Sequence, residues 1–371
     1  MTEKTVKSPY HSLPSYTRWK KAVADPHPTE VDPAVNFSMT ITSSDKVATA
    51  GSCFAQHIAR HLKKSGFQYF VAETGHPLAD ESEREFFNYG TYSARYGNIY
   101  TPRQLVQLFL RAYGLFKPIE SVWLNNQGLF VDPFRPSIEP RGFSSEAELL
   151  ADRRQHLAKV RQMFETLDVF VFTLGLTEAW RSRADGAVFP VCPGVAGGEF
   201  SDEIYEFHNF SVTEIVADME QFLEMLSKVN PNARVILTVS PVPLIATAED
   251  RHVLVSTTYS KSVLRVACDQ LERSHSNVAY FPSYEVIMGA FNRGAYFAED
   301  VRSVSEDGVS HVMRLFLRHA TDFDPTAIPV PQEVETPSFI KRMMTVVQTT
   351  CDEELIEASL SKREVIRGES A

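Results

Sequence analysis

At 371 residues, 43% hydrophobic and 23% charged, the chain has an ordinary globular composition and is long enough for one large domain with insertions or for two domains. A formal charge of −10 argues against a nucleic-acid binder, because neutralising a phosphate backbone takes a broad basic face, and Lys63-Lys64 and Arg153-Arg154 are short enough to be solvated helix faces. No apolar run approaches the roughly 20 residues of a membrane span, and Met1–Pro14 lacks the apolar stretch of a secretory signal.

Cys53, Cys192, Cys268 and Cys351 are far apart and form no CxxC pair, which fits reduced thiols rather than a disulfide framework or a zinc site. The expectation is a cytoplasmic protein with no membrane partner, no nucleic-acid partner, no metal and no cofactor.

Residues 1–44, rich in Pro, Ser, Thr and charge, read as an irregular arm on the domain surface. Lys46–Ala50 reads as a short strand. Phe54, Ile58 and Leu62 then recur at helical spacing, Gly66 ends that helix, and Phe67–Ala72 reads as the next strand. Residues 75–100 show no clean period and predict a long loop before a helix over Arg103–Tyr113. A charged amphipathic helix over 144–166 precedes Leu167–Gly175, a near-continuous apolar run of the kind buried on both faces of a parallel sheet.

Residues 179–200 predict a hairpin turning at Asp185-Gly186. Further on, helices over Val212–Val229, about 256–274 and about 307–320 alternate with strands over Arg234–Pro241 and Val278–Phe281. This alternation predicts an α/β domain over 45–324, an open parallel sheet with helices on both faces. Residues 325–371 read as a partly helical C-terminal tail, with an oligomer contact through it expected.

In such sheets ligands gather at the carboxyl ends of the strands. Ser52 and Cys53, Thr177 and Glu178, Ser240, and Asp300 with Ser303 all fall at predicted strand ends or in the loop before the last helix. A nucleophile set between a strand and a helix start meets unpaired backbone N–H groups and the positive end of the helix dipole. The plainer reading makes Ser52 a helix cap and Cys53 a small core residue. His57 and His61 have the i, i+4 spacing of a zinc pair without the Glu of an HExxH frame, and they read as helix-flank residues.

Gly51-Ser52-Cys53-Phe54-Ala55 resembles the signature of the GSCFA family, a group placed within the SGNH/GDSL hydrolase-like superfamily. The resemblance runs from about residue 46 to about 320 and takes in Gly97-Asn98-Ile99-Tyr100, Thr173–Thr177 and Val239–Val242. It implies an SGNH-like fold and a hydrolase or acyltransferase acting on an ester, with an O-acyl carbohydrate as one substrate class. Anchored on Gly51, the superfamily's Gly-Asp-Ser-Leu block sets Cys53 at the nucleophile position. Shifting by one residue sets Ser52 there, and both stay open.

The Gly-x-Asn-Asp block reads Gly175-Leu176-Thr177-Glu178, a hydroxyl in place of the oxyanion amide, and Gly90 or Gly97, the latter with Asn98 beside it, stands for the backbone-donor block. The Asp-x-x-His block reads Asp300-Val301-Arg302-Ser303, which keeps the aspartate and lacks the histidine base. His252 and His311 are the candidate replacements. Tyr89, Tyr92, Tyr96 and Tyr100 read either as exposed rings for stacking on sugars or as loop packing. A catalytically inactive SGNH-fold binding or scaffold protein is the alternative function.

Overall fold

The computed structural model describes residues 8–322, 352–357 and 359. The chain divides into two units, one of residues 41–281 with 348–371 and one of residues 1–40 with 282–347.

The first unit opens with β1 (Val47–Gly51), α1 (Ala55–Lys64), α2 (Glu81–Phe86) and α3 (Pro102–Ala112). The two-residue strands β2 (Trp123–Leu124) and β3 (Phe130–Val131) come before α4 (Glu146–Thr166), β4 (Val169–Leu174), β5 (Glu178–Ser182), β6 (Val188–Phe189) and β7 (Tyr205–Asn209). α5 (Val212–Val229), β8 (Arg234–Val239), α6 (Val253–Ser274) and β9 (Val278–Tyr280) complete the α/β order. The helix starts follow from local chemistry. Thr101 with Gln104 and Ser211 with Glu214 form capping boxes, and Ser145 caps α4.

The central sheet is all-parallel in the order β1-β4-β8-β9. Every residue of β1, β4 and β9, and all but Arg234 of β8, is buried. Side chains alternate between faces along a strand, so burial of consecutive residues means that both faces are covered. On one face Phe170 packs 5.7 Å from Phe164 of α4 and 5.5 Å from Phe222 of α5 between ring centres, and Phe109 of α3 lies 5.2 Å from Phe164. Each such ring contributes about 1.5–3 kcal/mol by leaving water.

The register matters most for the site. Gly51 pairs with Thr173 and Thr173 with Thr238, so the three strands end level and Ser52, Gly175 and Ser240 come off them side by side.

Phe67–Ala72 departs from its expectation. Its backbone pairs with β1 at a Val47–Tyr69 bridge, and the Ala72 N–H then turns away to the Ser93 carbonyl, 2.7 Å away, so no strand develops. The expected loop over 75–100 contains α2, capped by Asp80 and Glu83. The hairpin at Asp185-Gly186 is present, with Gly186 at φ 71° and β5 paired antiparallel to β6 and β7.

In the second unit, α7 (Ser283–Met288) precedes α8 (Glu306–Ala320), and the N-terminal arm is fastened to α8. His319 Nε2 lies 2.6 Å from Asp32 Oδ2, and Arg314 donates to the Thr29 carbonyl. Most of the tail expected over 325–371 lies outside the described residues. No helix among the described residues is long and apolar enough to cross a membrane.

Candidate functional site

Gly51 makes the turn out of β1 possible. Its φ of +138° is strained for an L side chain, and a Cβ there would stand 2.3 Å from the Thr173 carbonyl oxygen. Ser52 follows with its N–H donated to the Thr173 carbonyl (3.2 Å). The carbonyls of Ser52, Cys53 and Phe54 then accept from Ala55, Gln56 and His57 at 2.9, 3.1 and 3.1 Å, a tight entry into α1. Ser52 and Cys53 are both buried, and Cys53 is in no disulfide. The Ser52 hydroxyl has no hydrogen-bond partner among the described residues. A buried hydroxyl left in that state is uncommon enough to require a reason.

Ser52 and Cys53 line a cavity of about 10 Å³, room for roughly one water molecule. Gly175 and Ser240 from the neighbouring strand ends border it, with Lys261 from α6 and Glu353 from the C-terminal stretch. Gly175 is wedged in place. A Cβ on it would come within 3.1 Å of both the Ser52 Cβ and the Tyr100 ring. Its N–H and that of Leu176 donate to the Tyr100 carbonyl at 2.9 and 3.2 Å. Lys261, 2% exposed, donates from Nζ to the Gly175 carbonyl at 2.5 Å. The amine therefore sits on the residue that packs against Ser52.

The loop that brings Tyr100 to the site is held by charges taken out of water. Arg95 and Arg135 share Asp152 at 2.8 and 2.7 Å, and Asp132 takes Arg135 and Arg153 at 3.0 Å each. Glu73 accepts the Arg95 N–H at 2.7 Å and lies 2.8 Å from His156 Nδ1. With Arg95 fixed in this way, Tyr96 can place its hydroxyl on the Thr49 carbonyl of β1. Tyr92, Tyr96 and Tyr100 are buried, so the reading of these three as exposed stacking rings is replaced by the packing one.

The other expected site residues fall as follows. Asn98 is buried, accepting from Gln56 at 3.4 Å and donating to Asp352 at 3.0 Å, and Gly97 beside it has φ 71°. Thr177 donates its N–H to Ser260 (3.0 Å) and its hydroxyl to Asn209 (2.7 Å), so both donors are committed away from the cavity. Glu178 accepts from Thr247 at 2.7 Å and from the Ala248 N–H at 3.3 Å, and burial raises its pKa. His252 is exposed and caps α6, its Nδ1 accepting the Leu254 N–H at 3.1 Å.

His311 and Asp300 belong to the second unit. His311 is buried against the Tyr296 hydroxyl at 2.8 Å, and burial and the Arg314 charge push its pKa down to about 4. Asp300 is exposed and closes its own turn, accepting the N–H groups of Arg302 and Ser303 at 3.0 and 2.9 Å. No histidine is among the described residues lining the cavity. His57, near the start of α1, is buried with Nδ1 unpartnered among the described residues, and burial and the Arg60 charge push its pKa down to about 3.

Sequence reasoning passed over Lys261, Asp352 and Glu353. Lys261 had a legible signal, because it falls on the same helical stripe as the buried Thr257, Leu264, Cys268 and Leu271, where a lysine is out of place.

No curated protein matches the chain. The turn, the level strand ends behind it and the Tyr100 loop all fall within residues 46–316, the stretch matched by the model of the GSCFA family, and this chain belongs to that family.

Proposed function

We propose that the protein is an acyl-transfer enzyme, a hydrolase or O-acyltransferase acting on an ester, with Ser52 as nucleophile and Lys261 as its proton acceptor. One observation carries this reading: the unpartnered Ser52 hydroxyl and the buried Lys261 amine border the same one-water cavity at the strand ends. Ser–Lys pairs work because an amine kept from water takes up the serine proton. Ser52 Oγ attacks the acyl carbonyl carbon as its proton passes to Lys261 Nζ, a step that requires the amine in its unprotonated form. The carbonyl oxygen becomes an oxyanion beside the amino-terminal end of α1, where the helix dipole favours negative charge. Collapse breaks the ester C–O bond, and the departing alkoxide leaves as an alcohol with the Lys261 proton. Water, or an acceptor hydroxyl, then repeats the sequence on the acyl-serine and restores Ser52.

Cys53 stands next to Ser52 on the same cavity, and its substitution separates the two nucleophiles. Turnover of p-nitrophenyl acetate is the test. Ser52→Ala and Lys261→Met are expected to lose about 10³-fold or more, while Cys53→Ala stays within a few-fold of wild type. Loss confined to Cys53→Ala would move the chemistry to the thiol. The scaffold alternative is favoured by the absence of a histidine from the described lining, and a folded wild type with no turnover would select it.

A further inference from the structure

Two residues of the C-terminal stretch enter the sheet unit beside the nucleophile. Asp352 is 1% exposed, and its carboxyl group accepts from Asn98 Nδ2 at 3.0 Å and from the Ser137 hydroxyl. Its N–H donates to the Tyr100 hydroxyl at 3.2 Å. Asn98 and Tyr100 stand on the loop before α3, and Ser137 follows β3. Glu353, the next residue, is buried and forms one wall of the Ser52 cavity. Residues 354, 355 and 357 are already exposed, so the buried stretch ends at Glu353.

Two facts bear on what this insertion does. The cavity holds about one water, and an ester's acyl group cannot enter it unless a wall moves. The other walls are strand ends of the central sheet, the long helix α6, the 242–244 turn and Tyr100, whose loop the Asp152 ion pairs steady, whereas Glu353 belongs to the C-terminal stretch beside the docked Asp352. The anchor of this stretch also lacks a counter-charge. No cation pairs with Asp352 among the described residues, and its carboxyl group meets the Asn98 side-chain amide, the Asn98 backbone N–H and the Ser137 hydroxyl, all neutral donors. Buried carboxylates that belong permanently to a core are paired. The same lack of compensation raises the Asp352 pKa through burial.

We propose that residues 352–353 are a reversible latch: the recess of Asn98, Ser137 and Tyr100 docks the Asp352 carboxyl group, and Glu353 then shuts the cavity that holds Ser52 and Cys53. This takes from the proposed function only the location of the reacting group, and its test does not depend on turnover. The recess is thus a binding site for an acidic side chain, filled in cis by the protein's own tail.

Iodoacetamide labelling of the full-length protein, read at the Cys53 peptide by mass spectrometry, tests the latch. Cys268, fully buried in α6, is the internal control. Asp352→Lys puts a longer, positively charged side chain into a buried recess that offers it no carboxylate among the described residues, and it is expected to raise the Cys53 rate at least about tenfold with Cys268 unchanged. Asp352→Asn keeps the shape, its Oδ1 accepting from Asn98 and its Nδ2 donating to the Ser137 hydroxyl, and the Cys53 rate stays within about threefold of wild type. An unchanged Cys53 rate in Asp352→Lys would overturn the proposal. So would a parallel rise at Cys268, which would make the segment part of the core. Hydrogen exchange of the wild type gives a second reading that needs no variant. The Asp352 amide is expected to exchange at least about tenfold faster than the β4 amides, and exchange of both at one common rate would refute a local latch.

Discussion

Gly51→Ala tests the origin of the nucleophile turn. At φ +138° a Cβ would stand 2.3 Å from the Thr173 carbonyl oxygen, 2.7 Å from its Cβ and 2.8 Å from its N. Two of these atoms are backbone of the adjacent strand, so no rotamer change relieves them, and β1 must separate from β4. The strained φ costs about 1–3 kcal/mol and forced overpacking about another 1–3 kcal/mol, giving roughly 2–6 kcal/mol in total. Gly66→Ala isolates the first part, because Gly66 has φ +80° and nothing within 4 Å of the added carbon.

Thermal unfolding followed by circular dichroism compares the two. At about 2–4 °C per kcal/mol for a unit of this size, Gly51→Ala melts at least about 4 °C below wild type, and Gly66→Ala falls by about half as much or less. Equal shifts for the two variants would refute the backbone collision. A Gly51→Ala melt within about 2 °C of wild type would refute the whole argument.

Gly175→Ala adds a carbon 3.1 Å from the Ser52 Cβ without a positive φ, so it displaces the nucleophile more than it unfolds the protein. Ester turnover is expected to fall about 10²-fold with stability lowered by about 1–3 kcal/mol, and wild-type turnover would contradict the packing of Ser52 on Gly175. Asp152→Ala leaves the buried Arg95 and Arg135 guanidiniums without their shared partner and is expected to cost about 3–5 kcal/mol in a denaturant melt. A cost below about 1 kcal/mol would show that the remaining carboxylates suffice.

His57 and His311 are held neutral by burial, with pKa values of about 3 and about 4 against 6.5 for an exposed imidazole. The unfolded chain therefore takes up their protons first as pH falls. Stability is complete above about pH 6.5 and drops by up to about 1.4 kcal/mol per pH unit for each group between there and about pH 4. A melting temperature flat from pH 7 to 4.5 would contradict this.

The sheet could be read from the sequence because strands buried on both faces leave unbroken apolar runs, as in Val169–Leu174 and Val235–Val239, and because Asp185-Gly186 marks its own turn. Phe67–Ala72 has the same composition as a strand yet pairs at a single bridge, since its backbone is drawn off to Ser93 by a contact that no local pattern encodes. The site was legible in the same measure. Ser52 and Cys53 follow a strand and precede a helix, and that juxtaposition is local.

Lys261 and Asp352 reach the site only through the packing of α6 and of a segment 254 residues from Asn98. The Asp152 network that steadies the Tyr100 loop is likewise built from three distant stretches. Charged residues in a sequence look solvated until tertiary structure surrounds them.

The measurement that bears most directly on the account is covalent trapping. Wild-type protein is incubated with a fluorophosphonate, which phosphonylates an activated serine with loss of fluoride, and the adduct is mapped by peptide mass spectrometry. One adduct is expected, on Ser52, absent from Ser52→Ala and slowed about 10²-fold or more in Lys261→Met. A folded wild type that takes no adduct at Ser52, or one labelled equally well in Lys261→Met, would contradict it.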